Sequence, residues 1–174
     1  MKHIISFSGG AGSAIAAELA VNEYGKENVV LLFADSLIED KSLYLFNSQV
    51  SEALGVGLTV ITEGRTPWQV FKDVKYQGNT RIDPCSRVLK RDFIRKWLKL
   101  NYNPNQCNIH VGIDCTEEHR LGPVVERNKP FIYRSMLIEK DMFITNDDKV
   151  KWCLDNNITV PVMYELGFAH NNCG

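Results

Sequence analysis

The feature that most constrains this chain is a six-residue turn, Ser8-Gly9-Gly10-Ala11-Gly12-Ser13, set between a short β-like run and an alanine-rich helix. His3-Ile4-Ile5-Ser6-Phe7 carries the strand pattern, and residues 13–24, rich in Ala, Leu and Glu, carry the helical one. So tight a passage from strand to helix needs left-handed backbone, which glycine adopts without a Cβ clash. It also bares the first N–H groups of the helix, beside the positive end of the helix dipole, where an anion is stabilised. Ser8 and Ser13 add hydroxyl donors. Such a turn can also serve close helix–strand packing alone, but its position at a strand end and a helix start favours an anion cradle. It lacks the Gly-Lys-Ser/Thr ending of a Walker A loop and the spacing of the dinucleotide Gly-x-Gly-x-x-Gly pattern.

Beyond the turn, strand and helix patterns alternate. Residues 29–34 (Val-Val-Leu-Leu-Phe-Ala) are apolar throughout, as in a parallel strand buried on both faces. Leu43, Phe46, Val50 and Leu54 then form a helical stripe over residues 41–54, and residues 58–62 read as a third strand. Residues 86–100 predict an amphipathic helix with Val88, Leu89, Phe93, Trp97 and Leu98 inward and a basic outer face. Residues 109–113 read as a fourth strand. Thr145 and Asp148 open a last helix running to about Asn156. This alternation predicts a three-layer α/β/α sandwich around a mostly parallel, doubly wound sheet with right-handed crossovers. One domain is expected over residues 1–174. An irregular insertion at about 63–84 carries one short helix at 67–71, and Trp68 and Trp152 are expected to pack the core.

The chain has 174 residues, 44% of them hydrophobic, enough for one continuous core. A net charge of −1 gives no strong nucleic-acid signal and no bulk attraction to an anionic membrane. No apolar run is long enough to span a bilayer, and no signal-peptide core is present. The five cysteines, at 85, 107, 115, 153 and 173, include no Cys-x-x-Cys pair, which points to reduced thiols and a cytoplasmic protein.

Other residues with chemical potential gather at the carboxyl ends of the expected strands, where open α/β sheets bind ligands. Asp35 and Ser36 end the second strand, where Asp35 can alternatively cap the next helix. Asp114 follows the fourth strand and Gly112; after it come Glu117, Glu118, His119 and Arg120, with Arg127 two turns on. Arg120 can pair bidentately with a phosphate or sulfate, or belong to a solvated charged helix start. Arg81, Arg87, Lys90 and Arg91 surround Cys85, which makes Cys85 a candidate reactive thiol, an anion-binding edge, or part of a plain basic face. His170 and Cys173, with Cys85 and Cys115, are enough ligands for zinc or an iron–sulfur cluster, but their scatter matches no standard site and a metal-free terminus is favoured.

Four segments together resemble one family. The turn at residues 8–13 is similar to the Ser-Gly-Gly-x-Asp-Ser loop of PP-loop enzymes, the adenine nucleotide alpha-hydrolase group. Phe33-Ala34-Asp35-Ser36 with Ile38-Glu39-Asp40, Pro84-Cys85-Ser86-Arg87-Val88-Leu89-Lys90, and residues 112–120 bring it closest to the phosphoadenosine phosphosulfate (PAPS) reductase-like branch. The likeness covers most of the chain to about residue 127. It implies a Rossmann-like fold of HUP type and a small-molecule adenine nucleotide, PAPS or ATP, as ligand. Ser8, Gly9, Gly10, Gly12, Ser13 and Arg120 would hold its phosphate, and Phe33, Asp35 and Ser36 its adenosine. In a reductase, Cys85 or Cys173 would be the nucleophile.

Gly12 stands where most of the family has Asp, a carboxylate that would manage the Mg²⁺ and phosphate of ATP. An ATP pyrophosphatase would then need Asp35 or Asp114 to hold Mg²⁺. Relatives are also expected to continue past residue 174, so machinery carried by such a tail would be missing. A non-catalytic nucleotide-binding module is thus the third reading. A homo-oligomer or a redox partner protein is compatible with each.

Overall fold

The computed structural model describes residues 1–79 and 82–171. Five strands form one wholly parallel sheet: β1 (Lys2–Phe7), β2 (Val29–Asp35), β3 (Leu58–Thr62), β4 (Cys107–His110) and β5 (Ile132–Arg134), in the order β3-β2-β1-β4-β5. The chain winds outward from β1 through β2 to β3, then crosses back to lay β4 on the other side of β1. The strand order therefore reverses between β1 and β4, and the crevice at their carboxyl ends is the topological switch point.

Alternate residues of each strand face opposite layers, as the two-residue period requires. Ile5, Phe7, Leu31 and Phe33 join α1 (Ala11–Tyr24), α2 (Lys41–Leu54) and α7 (Asn146–Asp155) in one core. Ile4, Leu32, Ile61 and Ile109 join Leu98 of α4 (Phe93–Asn101) and the half-buried Val124 and Val125 of α5 (Leu121–Asn128) in the other. The three-layer, doubly wound expectation holds. The alanines of α1 explain its central place: Ala11, Ala14, Ala16, Ala17 and Ala20 are all buried, so small side chains let the helix lie close to its neighbours.

Local chemistry sets the helix starts. Asp40 caps α2 through the amide of Ser42, Thr66 and Gln69 form a capping box on α3 (Pro67–Val74), and Thr145 and Asp148 form another on α7. The basic helix expected over residues 86–100 starts as a π-wound segment at Ser86–Asp92 before becoming α4.

Several expectations are corrected. β4 lies at Cys107–His110, and residues 111–113 leave the sheet to form a loop that meets the start of α1. The helix near residue 67 runs on to Val74. Trp68 does not pack the core: it is 66% exposed, with its ring edge-on to Phe71. Trp152 does pack there and donates its Nε1–H to Glu18 Oε2 at 2.7 Å. Strand β5 and the short helices α6 (Met136–Glu139) and α8 (Val162–Glu165) were not anticipated. Among the described residues no helix is long and apolar enough to cross a membrane. Cys107 and Cys153 are buried free thiols, and Cys85 and Cys115 are half-buried ones.

Candidate functional site

The glycine turn occupies the switch point. Gly9 adopts φ +79°, and a Cβ there would collide with the buried side chain of Leu43, so both conformation and space call for glycine. Gly10 is the N-cap of α1. It offers no side chain to the first-turn amides, and that turn holds no acidic residue. This sets α1 apart from α2, α3 and α7, whose starts are satisfied by Asp or Thr side chains. Among the described residues the amides of Gly9, Gly10 and Gly12 donate to nothing, while those of Ser13 and Ala14 close on the Gly10 carbonyl at 3.1 Å. Ser13 Oγ donates to that carbonyl at 2.7 Å and accepts from the Ser8 amide at 3.2 Å, which stiffens the turn. The Ala11 amide is engaged: it donates to the hydroxyl of Tyr164 at 2.8 Å.

The loop after β4 closes the other side. A Cβ on Gly112 would stand 2.5 Å from the nitrogen of Ser13, and one on Gly12 would stand 3.1 Å from the carbonyl oxygen of Gly112. The two loops thus abut backbone to backbone. At position 12 this close approach leaves little room for any side chain.

A groove of about 570 Å³ opens over the turn, within the usual range for a small-molecule site. Ser8, Gly10, Gly12 and Ser13 floor it, with Phe33 and Ala34 at the end of β2 and Gly112 to Asp114 after β4. Among the described residues, seven Lys or Arg side chains line it against four Asp or Glu. The acids are largely committed. Asp83 pairs with Arg91, Asp92 with Arg95 and Glu117 with Arg120. Asp114 spends one oxygen on the amide and hydroxyl of Thr116, at 2.7 and 2.5 Å. Arg87, Arg127 and Lys149 have no carboxylate partner among the described residues. Burial pushes the hydroxyls of Tyr133 and Tyr164 up to about 12, so both stay protonated at neutral pH.

A magnesium ion bridging phosphates needs free carboxylate oxygens beside the anion. With three groove acids neutralised by arginines and Gly12 in the loop, the donor set suits an anion rather than a cation. Among the described residues no three His, Cys, Asp or Glu side chains converge on a point where a metal would sit.

Of the residues singled out by sequence, Ser8, Gly10, Gly12, Ser13, Phe33, Asp114 and Arg120 line the groove together, as do Arg87, Lys90, Arg91, Glu117, Arg127 and His170, and Gly9 shapes its floor. Asp35 and Ser36 do not line it. Asp35 Oδ1 accepts from the Leu37 amide and the Tyr44 hydroxyl, both at 2.8 Å, while Asp40 takes the capping role. Ser36 Oγ donates to the buried Glu39 at 2.8 Å, which also holds Lys90 at 2.9 Å. Cys85 has helical backbone at the start of the π-wound segment, and neither it nor Cys115 lines the groove. Arg81 and Cys173 lie outside the described residues. Sequence reasoning missed Lys149, Tyr164 and Asn171, which reach the groove from the C-terminal part of the chain. Their only local signal is an aromatic and an amide in an otherwise unpatterned stretch.

An all-parallel sheet in this order, with an uncapped glycine turn at its switch point, defines an α/β domain of PP-loop type. The sequence matches the family model of the phosphoadenosine phosphosulfate reductase domain over residues 2–170, and the chain belongs to that family of adenine-nucleotide-binding domains. Among solved structures the fold is shared by a predicted subunit of a tRNA methyltransferase from Methanocaldococcus jannaschii. That match has 15% identity, covers 91% of this chain and 90% of the other, and has a TM-score of 0.52. Comparison with curated proteins finds no match.

Proposed function

We propose that the chain binds an adenine nucleotide bearing a sulfate or phosphate, with its anionic end on the amides of Gly9, Gly10 and Gly12. The observation that carries this reading is the start of α1, which, unlike those of α2, α3 and α7, has no side-chain cap, and whose first turn holds no acid. It opens into a groove with a surplus of cations. Amides, a dipole end and Arg87 and Arg127, all without an anionic partner among the described residues, add up to a site short of negative charge. Phe33 and Ala34 line the groove at the end of β2, where the adenosine would lie, and Arg120 is paired with Glu117 until an anion competes for it.

Between nucleotides, the committed carboxylates favour a sulfo- or phospho-adenosine over magnesium-bound ATP. In a reductase reaction a thiolate attacks the sulfur of the sulfo group. The sulfur–oxygen bond to the phosphate breaks, and adenosine 3′,5′-bisphosphate leaves with its charge stabilised by the cradle. A second reading, binding without turnover, is supported by the fact that no thiol among the described residues lines the groove.

The test is a thermal-shift panel of PAPS, adenosine 3′,5′-bisphosphate, ATP and AMP, with and without Mg²⁺, since a ligand selective for the native state raises the melting temperature. The reading expects PAPS and the bisphosphate to stabilise most, with no help from Mg²⁺. Sulfite release from PAPS under a dithiol reductant separates the reductase from the binding module. Stabilisation by ATP alone, dependent on Mg²⁺, would reject the proposed ligand class.

A further inference from the structure

The segment following α7 brings to the cradle two polar groups that are not fully satisfied among the described residues. The first is the hydroxyl of Tyr164. Its ring is 6% exposed and packs in the core shared by α1 and α2, while its oxygen accepts the Ala11 amide at 2.8 Å. The same oxygen stands 3.2 Å from where a Cβ on Gly10 would lie, so it sits across the turn. A hydroxyl that accepts still has its own hydrogen to give, and among the described residues nothing accepts it. The second is Asn171, 3% exposed. Its Nδ2 donates to the Gly9 carbonyl at 2.7 Å, which fixes the orientation of the amide and leaves Oδ1 buried without a partner. Both residues line the groove.

Two roles fit a hydroxyl on a cradle amide: a stopper that a ligand must expel, or a contact that the ligand meets in place. The attachments of the segment favour the second. The Val162 amide donates to Ser42 Oγ at 3.3 Å, Gln49 and Thr159 exchange hydrogen bonds at 2.9 and 3.1 Å, and Lys149 Nζ donates to the Ala169 carbonyl at 2.8 Å. Expelling Tyr164 would strain these ties and bring a core aromatic into water. Leaving it in place costs nothing and supplies a donor.

We propose that Tyr164 is a direct ligand of the bound nucleotide's anionic group: it takes the Ala11 hydrogen bond and passes a donor on to a phosphate or sulfate oxygen. The cradle is thus built from three bare amides and one amide extended by a side chain. That extension widens the turn's reach by the length of a hydroxyl. Asn171 Oδ1 marks the adjoining position, where the ligand must present a hydrogen, as a ribose hydroxyl does next to the phosphate. The assignment rests on the nucleotide reading above.

The experiment compares the full chain with Y164F by calorimetric titration of two probes, adenosine 3′,5′-bisphosphate and unphosphorylated adenosine. Phenylalanine keeps the ring and its packing. Loss of a hydrogen bond to a charged group is expected to weaken bisphosphate binding by about tenfold or more while leaving adenosine unchanged. Equal or tighter bisphosphate binding by Y164F overturns the assignment and makes the hydroxyl a stopper. Unaltered protein that binds no adenine nucleotide overturns the nucleotide reading, and this assignment with it. If Y164F does not fold, amide resonances of the unaltered protein decide. An Ala11 amide that stays protected from exchange with bisphosphate bound supports the assignment, and one that loses its partner rejects it.

Discussion

The backbone of Gly112 runs so close to Ser13 that a Cβ on the first would stand 2.5 Å from the amide nitrogen of the second. That contact joins the loop after β4 to the start of α1. It holds the two halves of the sheet's crevice at one spacing.

Gly112→Ala should therefore destabilise the protein by about 1–3 kcal/mol, the usual cost of overpacking, because backbone and not a flexible side chain must move. Nucleotide affinity should fall with it. Gly57→Ala is the matched control: it lies just before β3 without left-handed backbone, nothing beyond its chain neighbours stands within 4 Å of the added Cβ, and a gain of about 0.4–1 kcal/mol is expected. Urea unfolding of both variants checks the pair. Equal stability changes would show that the Gly112 contact is not tight.

Arg87 and Arg127 line the groove with no carboxylate partner among the described residues. Replacing each by Gln should weaken binding of adenosine 3′,5′-bisphosphate several-fold, with unfolding stability changed by no more than about 0.5 kcal/mol. The difference from the parent protein should shrink as salt is raised, because screening at an exposed site removes the advantage. A salt-independent loss would mean that the arginines act through structure rather than charge.

A buried histidine pair gives the fold an acid limit. His3 Nδ1 and His110 Nε2 lie 3.0 Å apart, His3 stacks on Tyr24, and His110 is 0% exposed with its Nδ1 unpartnered. Burial, followed by His3 and Arg134, pushes His110 down to about 4, and Glu139 and Glu23 oppose this only weakly. The native state thus refuses a proton that the unfolded chain takes up below its ordinary 6.5. Stability from this group is fully present above that value. It declines between there and 4, by a total on the order of 3 kcal/mol at about 1.4 kcal/mol per pKa unit. Unfolding measured at pH 7, 5.5 and 4.5 should show the decline, and H110Q should flatten it. The paired carboxylates Asp40, Glu63 and Asp148 are held below their usual range, so their contribution is lost only at lower pH. An identical pH slope in H110Q would dismiss the role of His110.

The inner strands and the glycine turn were legible because local pattern and tertiary role agree there. Val29 to Ala34 is apolar on both faces since both faces are covered, and the turn needs glycine for reasons that are visible in its own residues. The capping box at Thr145 and Asp148 reads directly from spacing. Where the outcome depends on a distant partner, the sequence is silent. Strand β5 is three residues long and is defined by pairing with β4 rather than by any run of its own. The hydrogen bond that Asp35 Oδ1 accepts from the Tyr44 hydroxyl has no signal in the residues around Asp35. Tyr164 reaches Ala11 from 153 residues away, which no local pattern encodes.

The central claim is that the bare amides at the start of α1 receive the anionic end of an adenine nucleotide. The most direct test follows the backbone amide resonances of Gly9, Gly10 and Gly12 in ¹⁵N-labelled protein titrated with adenosine 3′,5′-bisphosphate, with adenosine as the uncharged comparison. Those three resonances should move together, saturably, and far more with the bisphosphate than with adenosine. Saturable binding that leaves all three unmoved, or that moves them equally with adenosine, would contradict the account.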